Sequence, residues 1–537
     1  MIDRFSGLEV DWQAMELSRD GAQVPVKPKA FQLLEFLFAN RDRVVSKYEI
    51  FETVWQGRFV SDGALTTAVN DLRRALGDTG KKHHIIRTIY GQGLRFVADL
   101  ENQEAADEVA PAEGTTVSEA ALTASEAQSD PNSKVTVGLA VLALENLSTD
   151  PDLSRLGDVV AEDLITALSK FSQLSVVSRT SSFAVSHQST PLREIAETLG
   201  VDYIVEGSLR PVDDIARVSV QLIDASDDQH VWAEQFDWKV SCTAGEESMT
   251  LGVITGQLVD QLTRHEARSA RHVAVEDLTA WQSYYRGIAA LYTHRFAERN
   301  NAIGFFERAI ELNPEFALAR ALLSFALNMP NLVLSDGRFQ SADDAVIRQD
   351  LERAEKEALQ SLDLDPRYAF AWVSLARTYI SLGHPYEGMG AAQTAIDLNP
   401  FLPAALFILG ECYWSTGQLE DAVAASDRCI ELGPSSVFYW LAMSTKSCTL
   451  VALGKNNEAI FRSRDAQARS AGSVYSYFGE ICALGHSGRV DDASDVICRA
   501  ERTTPGFCAA LFDQLYPISD NQTAEHMHEG FKRAGLA

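Results

Sequence analysis

Arg87-Thr88-Ile89-Tyr90-Gly91-Gln92-Gly93-Leu94-Arg95-Phe96 reads as a β-hairpin, with Gly91-Gln92-Gly93 at the tip and a cation towards each end. Just upstream, Ala64 to Leu76 reads as a short helix that ends in Leu72-Arg73-Arg74-Ala75-Leu76-Gly77. Leu65, Val69, Leu72 and Leu76 make its buried stripe, which turns Thr66, Thr67, Asn70, Arg73 and Arg74 outward. Asparagine can pair with the edge of adenine, arginine with guanine or phosphate, and threonine methyls with thymine methyls. A basic hairpin beside such a helix suits double-stranded DNA: the helix enters the major groove and the hairpin reaches the backbone.

The order of parts over Ile2 to Asp99 resembles the OmpR/PhoB-type winged helix. The pattern that carries it is Leu-Arg-x-x-Leu followed by x-Arg-Thr-x-x-Gly-x-Gly-x-Arg-Phe. The resemblance implies phosphate contacts from Arg87 and Arg95, and backbone or minor-groove contacts from Thr88, Tyr90 and Gln92; packing within the wing is an equal reading of Tyr90. It also implies that the loop from Gln56 to Ser61 can face RNA polymerase, with Arg58 exposed and Trp55 in the core. Asp71 departs from the residue usual in the family. Phe31, Leu33, Leu34, Phe36, Leu37 and Phe38 read as a core helix, and Ser46 with Glu49 as a capping box on the next one.

The net charge of −28 is unevenly spread. Residues 1–100 hold 14 Lys/Arg and 13 Asp/Glu, about +1, so the remainder carries about −29. That remainder is expected to be repelled by phosphate and to oppose DNA binding until it is repositioned. All seven cysteines lie from Cys242 onward with no Cys-x-x-Cys pair, which reads as reduced core thiols in a cytoplasmic protein. The amino-terminal sequence has no secretory pattern, and no apolar run is long enough to span a bilayer.

The composition divides the chain into a winged helix (1–100), an acidic linker (101–133), a small α/β domain (134–243), a connecting helix (244–275) and a repeat region (276–537). In the α/β domain, Val137 to Leu144, Leu174 to Val177, Tyr203 to Arg210, Ala216 to Ile223 and His230 to Phe236 read as strands. Leu153 to Phe171 and Leu192 to Leu199 read as helices, and Asp213-Asp214 and Asp227-Asp228 as turns. Ala140 to Ser148, Leu199 to Ser208 and Trp232 to Asp237 resemble a TolB-amino-terminal-like domain, which implies little about chemistry.

From about Trp281 the chain repeats. Pro366, Pro400 and Pro434 are spaced by 34 residues, a period that resembles tetratricopeptide repeats. The best copy has Trp372, Leu375, Ala376 and Tyr379 on one helix and Ala395 on the next; small residues at Ala376 and Gly410 are expected to allow close helix approach. Five to seven copies are expected. The second carries an insertion around Met329 to Arg348, and an eroded copy lies near Trp440 to Ala468.

The expected architecture is therefore multidomain: a winged helix-turn-helix (α+β), a small α/β domain and an all-α tetratricopeptide-repeat solenoid. No phosphate-receiving domain precedes the winged helix, and no phosphate-loop, nucleophile-elbow or zinc-protease motif occurs. His83-His84 reads as solvated loop, and His265, His272 and His294 as ordinary surface or core residues. The reading is a cytoplasmic transcriptional regulator without catalysis, cofactor, metal or membrane attachment. Its expected partners are double-stranded DNA, RNA polymerase, a protein or peptide on the repeats, and a second copy on DNA. The competing reading is a repeat-based signalling scaffold with a degenerate winged helix, supported by Asp71 and the near-neutral first hundred residues. An enzyme is a more distant third.

Overall fold

The computed structural model describes residues 2–5, 8–12, 16–19, 22–24, 26–41, 45, 50, 53–54, 68–69, 72–76, 78, 85–89 and 93–98 of the amino-terminal region. Beyond it, residues 136–186, 191–213, 215–239, 244–293, 296–330, 332–335, 338–470 and 473–536 are described. The linker read at 101–133, the Ser46/Glu49 capping box, Leu65, Asp71, His83-His84 and the loop from Gln56 to Ser61 lie outside the described residues. The chain forms two compact units, Met1–Ala127 and Gln128–Ala537.

The first unit opens with a four-stranded antiparallel sheet in sequential order: β1 (Ile2–Phe5), β2 (Leu8–Asp11), β3 (Glu16–Arg19) and β4 (Ala22–Val24). This sheet was missed in the sequence, although Leu8 and Val10 alternate with polar residues as a half-buried strand requires. Helix α1 (Pro28–Ala39) starts with proline in its first turn, where a missing N–H costs nothing. Its Phe31, Leu33, Leu34 and Leu37 are buried, whereas Phe36 and Phe38 are only half-buried. Phe38 lies at the core's edge, its ring centroid 4.7 Å from that of Trp12 and 5.3 Å from that of Phe96. Residues 72–75 are helical, and the unit closes with the hairpin β5 (Ile86–Ile89) and β6 (Gly93–Phe96).

In the second unit, β7 (Val137–Val141), β8 (Glu145–Asn146), β9 (Leu174–Val176), β10 (Tyr203–Val212), β11 (Ile215–Asp224) and β12 (Gln229–Lys239) form one sheet. Its order is β12-β11-β10-β7-β9, with β8 also paired to β10. The carboxy-terminal three strands form an antiparallel meander, and Asp213 and Asp228 take left-handed φ values of 51° and 57° at its turns. Ala216, Val218, Val220 and Leu222 of β11 are buried, as their alternation requires. Helix α2 (Pro151–Leu168) covers one face; α3 (Arg179–Ser186), absent from the sequence reading, and α4 (Leu192–Leu199) serve the other.

The 27-residue helix α5 (Ala244–Ala270) packs against β12, β11 and α2 on one side and against the repeats on the other, so the sheet domain and the solenoid share a core. Among the described residues, six helix pairs and two further helices follow. They are α6 (Ala280–Leu291) with α7 (Phe296–Leu312), α8 (Ala317–Leu327) with α9 (Asp344–Leu364), and α10 (Ala369–Ser381) with α11 (Pro385–Leu398). Next come α12 (Pro403–Ser415) with α13 (Leu419–Leu432), and α14 (Val437–Ala452) with α15 (Asn456–Arg469). The last pair is α16 (Phe478–His486) with α17 (Val490–Thr503); α18 (Ala509–Leu515) and α19 (Asn521–Ala534) follow, and α19 packs against α16. The insertion in the second pair is the hairpin β13 (Leu332–Ser335) and β14 (Arg338–Ser341).

A repeated turn shows why this sequence makes pairs. Gly383, Gly417, Gly454 and Gly488 all take φ between 70° and 84°, where a Cβ is costly. After each, an amide reaches back to close the helix: His384 to Tyr379, Gln418 to Tyr413, Lys455 to Leu450 and Arg489 to Leu484, at 2.8–2.9 Å. Close approach is demanded elsewhere than expected. A Cβ on Gly410 would meet its neighbours at an ordinary 3.5 Å, whereas on Gly287 it would lie 2.4 Å from the Phe306 ring. Trp372 and Tyr379 are half-buried, so they edge the core and do not fill it.

Candidate nucleic-acid interface

Three devices hold the hairpin in place, two of them at the end of the helix before it. Asp78, buried just past the helix end, accepts through Oδ2 from the amides of Ile85 (3.3 Å) and Ile86 (3.0 Å). Arg73 donates from Nε and Nη2 to the Ile86 carbonyl at 3.3 and 2.9 Å. Val45 exchanges both backbone hydrogen bonds with Leu94, at 2.8 and 2.9 Å, adding a third chain to the hairpin edge. Ile86, Leu94 and Phe96 then point into the core.

The pairing register decides what faces outward. Ile86 opposes Phe96, Arg87 opposes Arg95 and Thr88 opposes Leu94. With Ile86 and Phe96 inside, the period of two puts Arg87 and Arg95 side by side on the solvent face, and both are exposed. Cβ atoms of directly opposed residues lie about 4.5–5.5 Å apart, and like charges so placed repel. An anion between the two guanidiniums would relieve that repulsion.

The helix gives a more divided result. Val69, Leu72 and Leu76 are buried as expected, and Arg74 is exposed. Arg73, read as outward, is half-buried and held by the wing's own backbone. Thr66, Thr67, Asn70, Tyr90 and Gln92 lie outside the described residues. Thr88 is placed only by its position in β5. The sequence reading missed Asp78 and Val45; a carboxylate one residue past the helix-ending Gly77 was the available sign of the first.

Among the described residues, no group of three or more histidine, cysteine or carboxylate side chains is placed to hold a metal ion, and no helix is long and apolar enough to cross a membrane. Burial raises the thiols of Cys412, Cys429, Cys448 and Cys482, the third to about 12, which removes them as nucleophiles at neutral pH. His265, read as ordinary, has its Nε2 3.0 Å from Asp224 Oδ2, tying α5 to β11.

Residues 21–96 match the family model described as transcriptional regulatory protein, C terminal. They form an OmpR/PhoB-type winged-helix domain. Behind this winged helix, residues 138–253 match the second domain of HilA/YgeH-like transcriptional regulators, and residues 403–436 match a tetratricopeptide repeat.

The chain is 32% identical over 186 residues to a putative adenylate cyclase 3 of Rhizobium meliloti, covering 35% of this chain and 32% of that protein. It is 36% identical over 80 residues to the transcriptional regulator HilA of Salmonella typhi, covering 15% of this chain and 14% of HilA. Both relatives are thus matched over less than half of their length. The crystal structure of the Klebsiella pneumoniae RstA DNA-binding domain with its RstA box aligns at 19% identity and a TM-score of 0.17, over 18% of this chain and 96% of that one.

Proposed function

We propose that this chain is a cytoplasmic transcriptional regulator that binds promoter DNA through its winged helix and is controlled by a protein or peptide bound to its repeats. The observation that carries the DNA reading is the pair Arg87 and Arg95, opposed and exposed on the wing. In this reading Arg74, Arg87 and Arg95 bind phosphate, and Thr66, Thr67 and Asn70 read bases. Thr88, Tyr90 and Gln92 line the backbone, and Arg73 acts mainly by positioning the wing. The chemistry is binding alone: the helix selects a short site and the wing anchors it.

A lone module of this size reads few base pairs, so a second copy on a tandem or inverted site would supply specificity. RNA polymerase is the proposed partner of the 56–61 loop. The boundaries proposed for the parts are those at residues 100, 133, 243 and 275.

The test is binding of the full chain to fragments of its own upstream region across a salt series, with competitor DNA. Each phosphate contact contributes about −0.9 to the slope of log K against log salt. A site-specific complex whose slope is shallower in Arg87→Ala/Arg95→Ala supports the reading. Absence of any site-specific complex overturns it in favour of the scaffold.

A further inference from the structure

Helix α5 spans from the first helix pair to the fourth, touching α6 and α13. Between α5, the end of α6, the start of α14 and the end of α15 lies a cavity of about 730 Å³. Four of its lining residues are arginines: Arg264 and Arg268 from α5, Arg271 just past its end, and Arg469 from α15. No carboxylate lines it, in a chain of net charge −28. Arg264 and Arg268 are neighbours on one helical face and Arg271 follows in the turn after it, so three like charges line one cavity, where repulsion disfavours them.

The four are not equivalent. Arg264 is paired with Asp260 at 2.8 Å and donates to the Ser435 carbonyl at 3.2 Å. Arg469 lies 3.6 Å from Asp465, and its guanidinium carbon sits 4.1 Å from the Tyr439 ring centroid. Arg268 donates only to the Arg264 carbonyl, at 3.2 Å, and among the described residues neither Arg268 nor Arg271 has a carboxylate partner. A cation at a helix end can serve the terminal carbonyls and the dipole. Here Arg286 already does so, donating to the carbonyls of Ala270, Arg271 and Val273. The two unpaired arginines are therefore surplus to the helix end.

The rest of the lining adds aromatic faces, Tyr292, Tyr439 and Trp440, with the hydroxyls of Thr263, Thr293 and Ser436. A second chamber of about 90 Å³ shares Thr263, Ile288 and Tyr292 with the first and continues to Tyr284, Tyr368 and Phe401. Guanidiniums match phosphate oxygens in a two-pronged geometry, and aromatic rings accept a planar base. A volume in the range of small-molecule sites, about 300–1,000 Å³, suits a ligand larger than a lone phosphate.

We propose that this cavity is an effector site for a nucleotide, with its phosphates on Arg268 and Arg271 and its base against Tyr292 and Trp440. This proposal is independent of the DNA reading, and its test uses no DNA.

The experiment titrates full-length protein with the fluorescent nucleotides MANT-ADP and MANT-GDP, using unlabelled nucleotide, pyrophosphate and hexaglutamate as competitors. Saturable binding of at least one nucleotide is expected. Unlabelled nucleotide should compete better than pyrophosphate, and binding should weaken about tenfold or more in Arg268→Ala/Arg271→Ala. The Arg87→Ala/Arg95→Ala protein should bind as the wild type does. Both cavity side chains are exposed and outside the core, so the melting curve should not move; Arg268→Gln/Arg271→Gln, which keeps the stems, provides a second variant. Three results overturn the proposal: no saturable nucleotide binding to about millimolar concentration, wild-type binding in both the Ala and the Gln variants of Arg268 and Arg271, or displacement by hexaglutamate in preference to nucleotide, which would make this a peptide site.

Discussion

The winged helix and the solenoid use arginine in opposite ways. On the wing, Arg87 and Arg95 face each other in solvent, an arrangement that favours an incoming anion. Inside the repeats the anion is built in. Arg377 and Glu411 are both buried and 2.8 Å apart; Arg299 lies 2.6 Å from Asp350, and Arg320 lies 2.8 Å from Glu357. One set of guanidiniums is available to a partner, and the other is committed to holding neighbouring helices. Net charge alone hides this difference, because an internally matched arginine and an available one count equally.

The sharpest way to break the comparison is to remove a committed arginine. Arg377→Ala leaves Glu411 charged, buried and without its partner, so a loss of about 3–5 kcal/mol of stability is expected, read by chemical denaturation. The pH dependence has a definite sign. Burial raises the Glu411 carboxyl above its ordinary value, against the pull of Arg377. The native state therefore holds that proton more tightly than the unfolded chain. Its contribution weakens stability as pH rises from the ordinary value through the raised one, and the cost is absent below both. Removing Arg377 raises the group further, so the deficit of the variant should shrink as pH falls and the orphaned carboxylate takes up its proton. A deficit that stays constant with pH would show that packing, and not an orphaned charge, accounts for the loss.

Removing available arginines should do the reverse. Arg87→Ala/Arg95→Ala is expected to leave melting within about ±0.5 kcal/mol, as for surface changes without partners. The salt slope of DNA binding should become shallower by about 1.8. If this variant instead lowers the melting temperature strongly and leaves the slope alone, the wing pair is structural and the contrast with the solenoid fails.

Asp78→Ala is a milder probe of the same unit. It strips the acceptor from two buried amides, those of Ile85 and Ile86, and a loss of about 1–3 kcal/mol in the unfolding of the amino-terminal unit is expected.

The two regions also differed in how much could be read from sequence. The solenoid was legible because its signals repeat: a proline after most pairs, with Pro366, Pro400 and Pro434 at a period of 34 residues. Pairs that break the spacing, such as α14 with α15, were recoverable only because their neighbours set the frame. The wing was legible because glycines between alternating residues are a local code, although Gly93, read as part of the tip, opens β6 opposite Ile89. The amino-terminal sheet was not, because its strands are three or four residues long and each gives too little alternation to stand out. Long-range ties escaped for a different reason. Nothing near Val45 announces Leu94, and nothing near Asp224 announces His265, because those pairings exist only once the chain has folded. The cavity between α5 and α14 was equally hidden: Arg268 and Arg469 are 201 residues apart in the sequence.

Arg73 falls between the two uses, and it offers the finest test. Helical periodicity put it on the outward face, yet its Nε and Nη2 are taken up by the Ile86 carbonyl, at the root of the strand that carries Arg87. If its work is to position the wing, Arg73→Ala should cost about 1 kcal/mol of stability and weaken DNA binding with the salt slope unchanged, because no counterion release is lost. Were it also to hold phosphate, the slope would become shallower by about 0.9. Arg73→Lys separates the two further: a lysine keeps the charge but presents no planar fork, so a positioning role predicts that it rescues poorly, and a purely electrostatic role predicts that it rescues well. Measuring slope and stability on the same variants therefore decides whether the helix's last turn belongs with the wing's available charges or with the solenoid's committed ones.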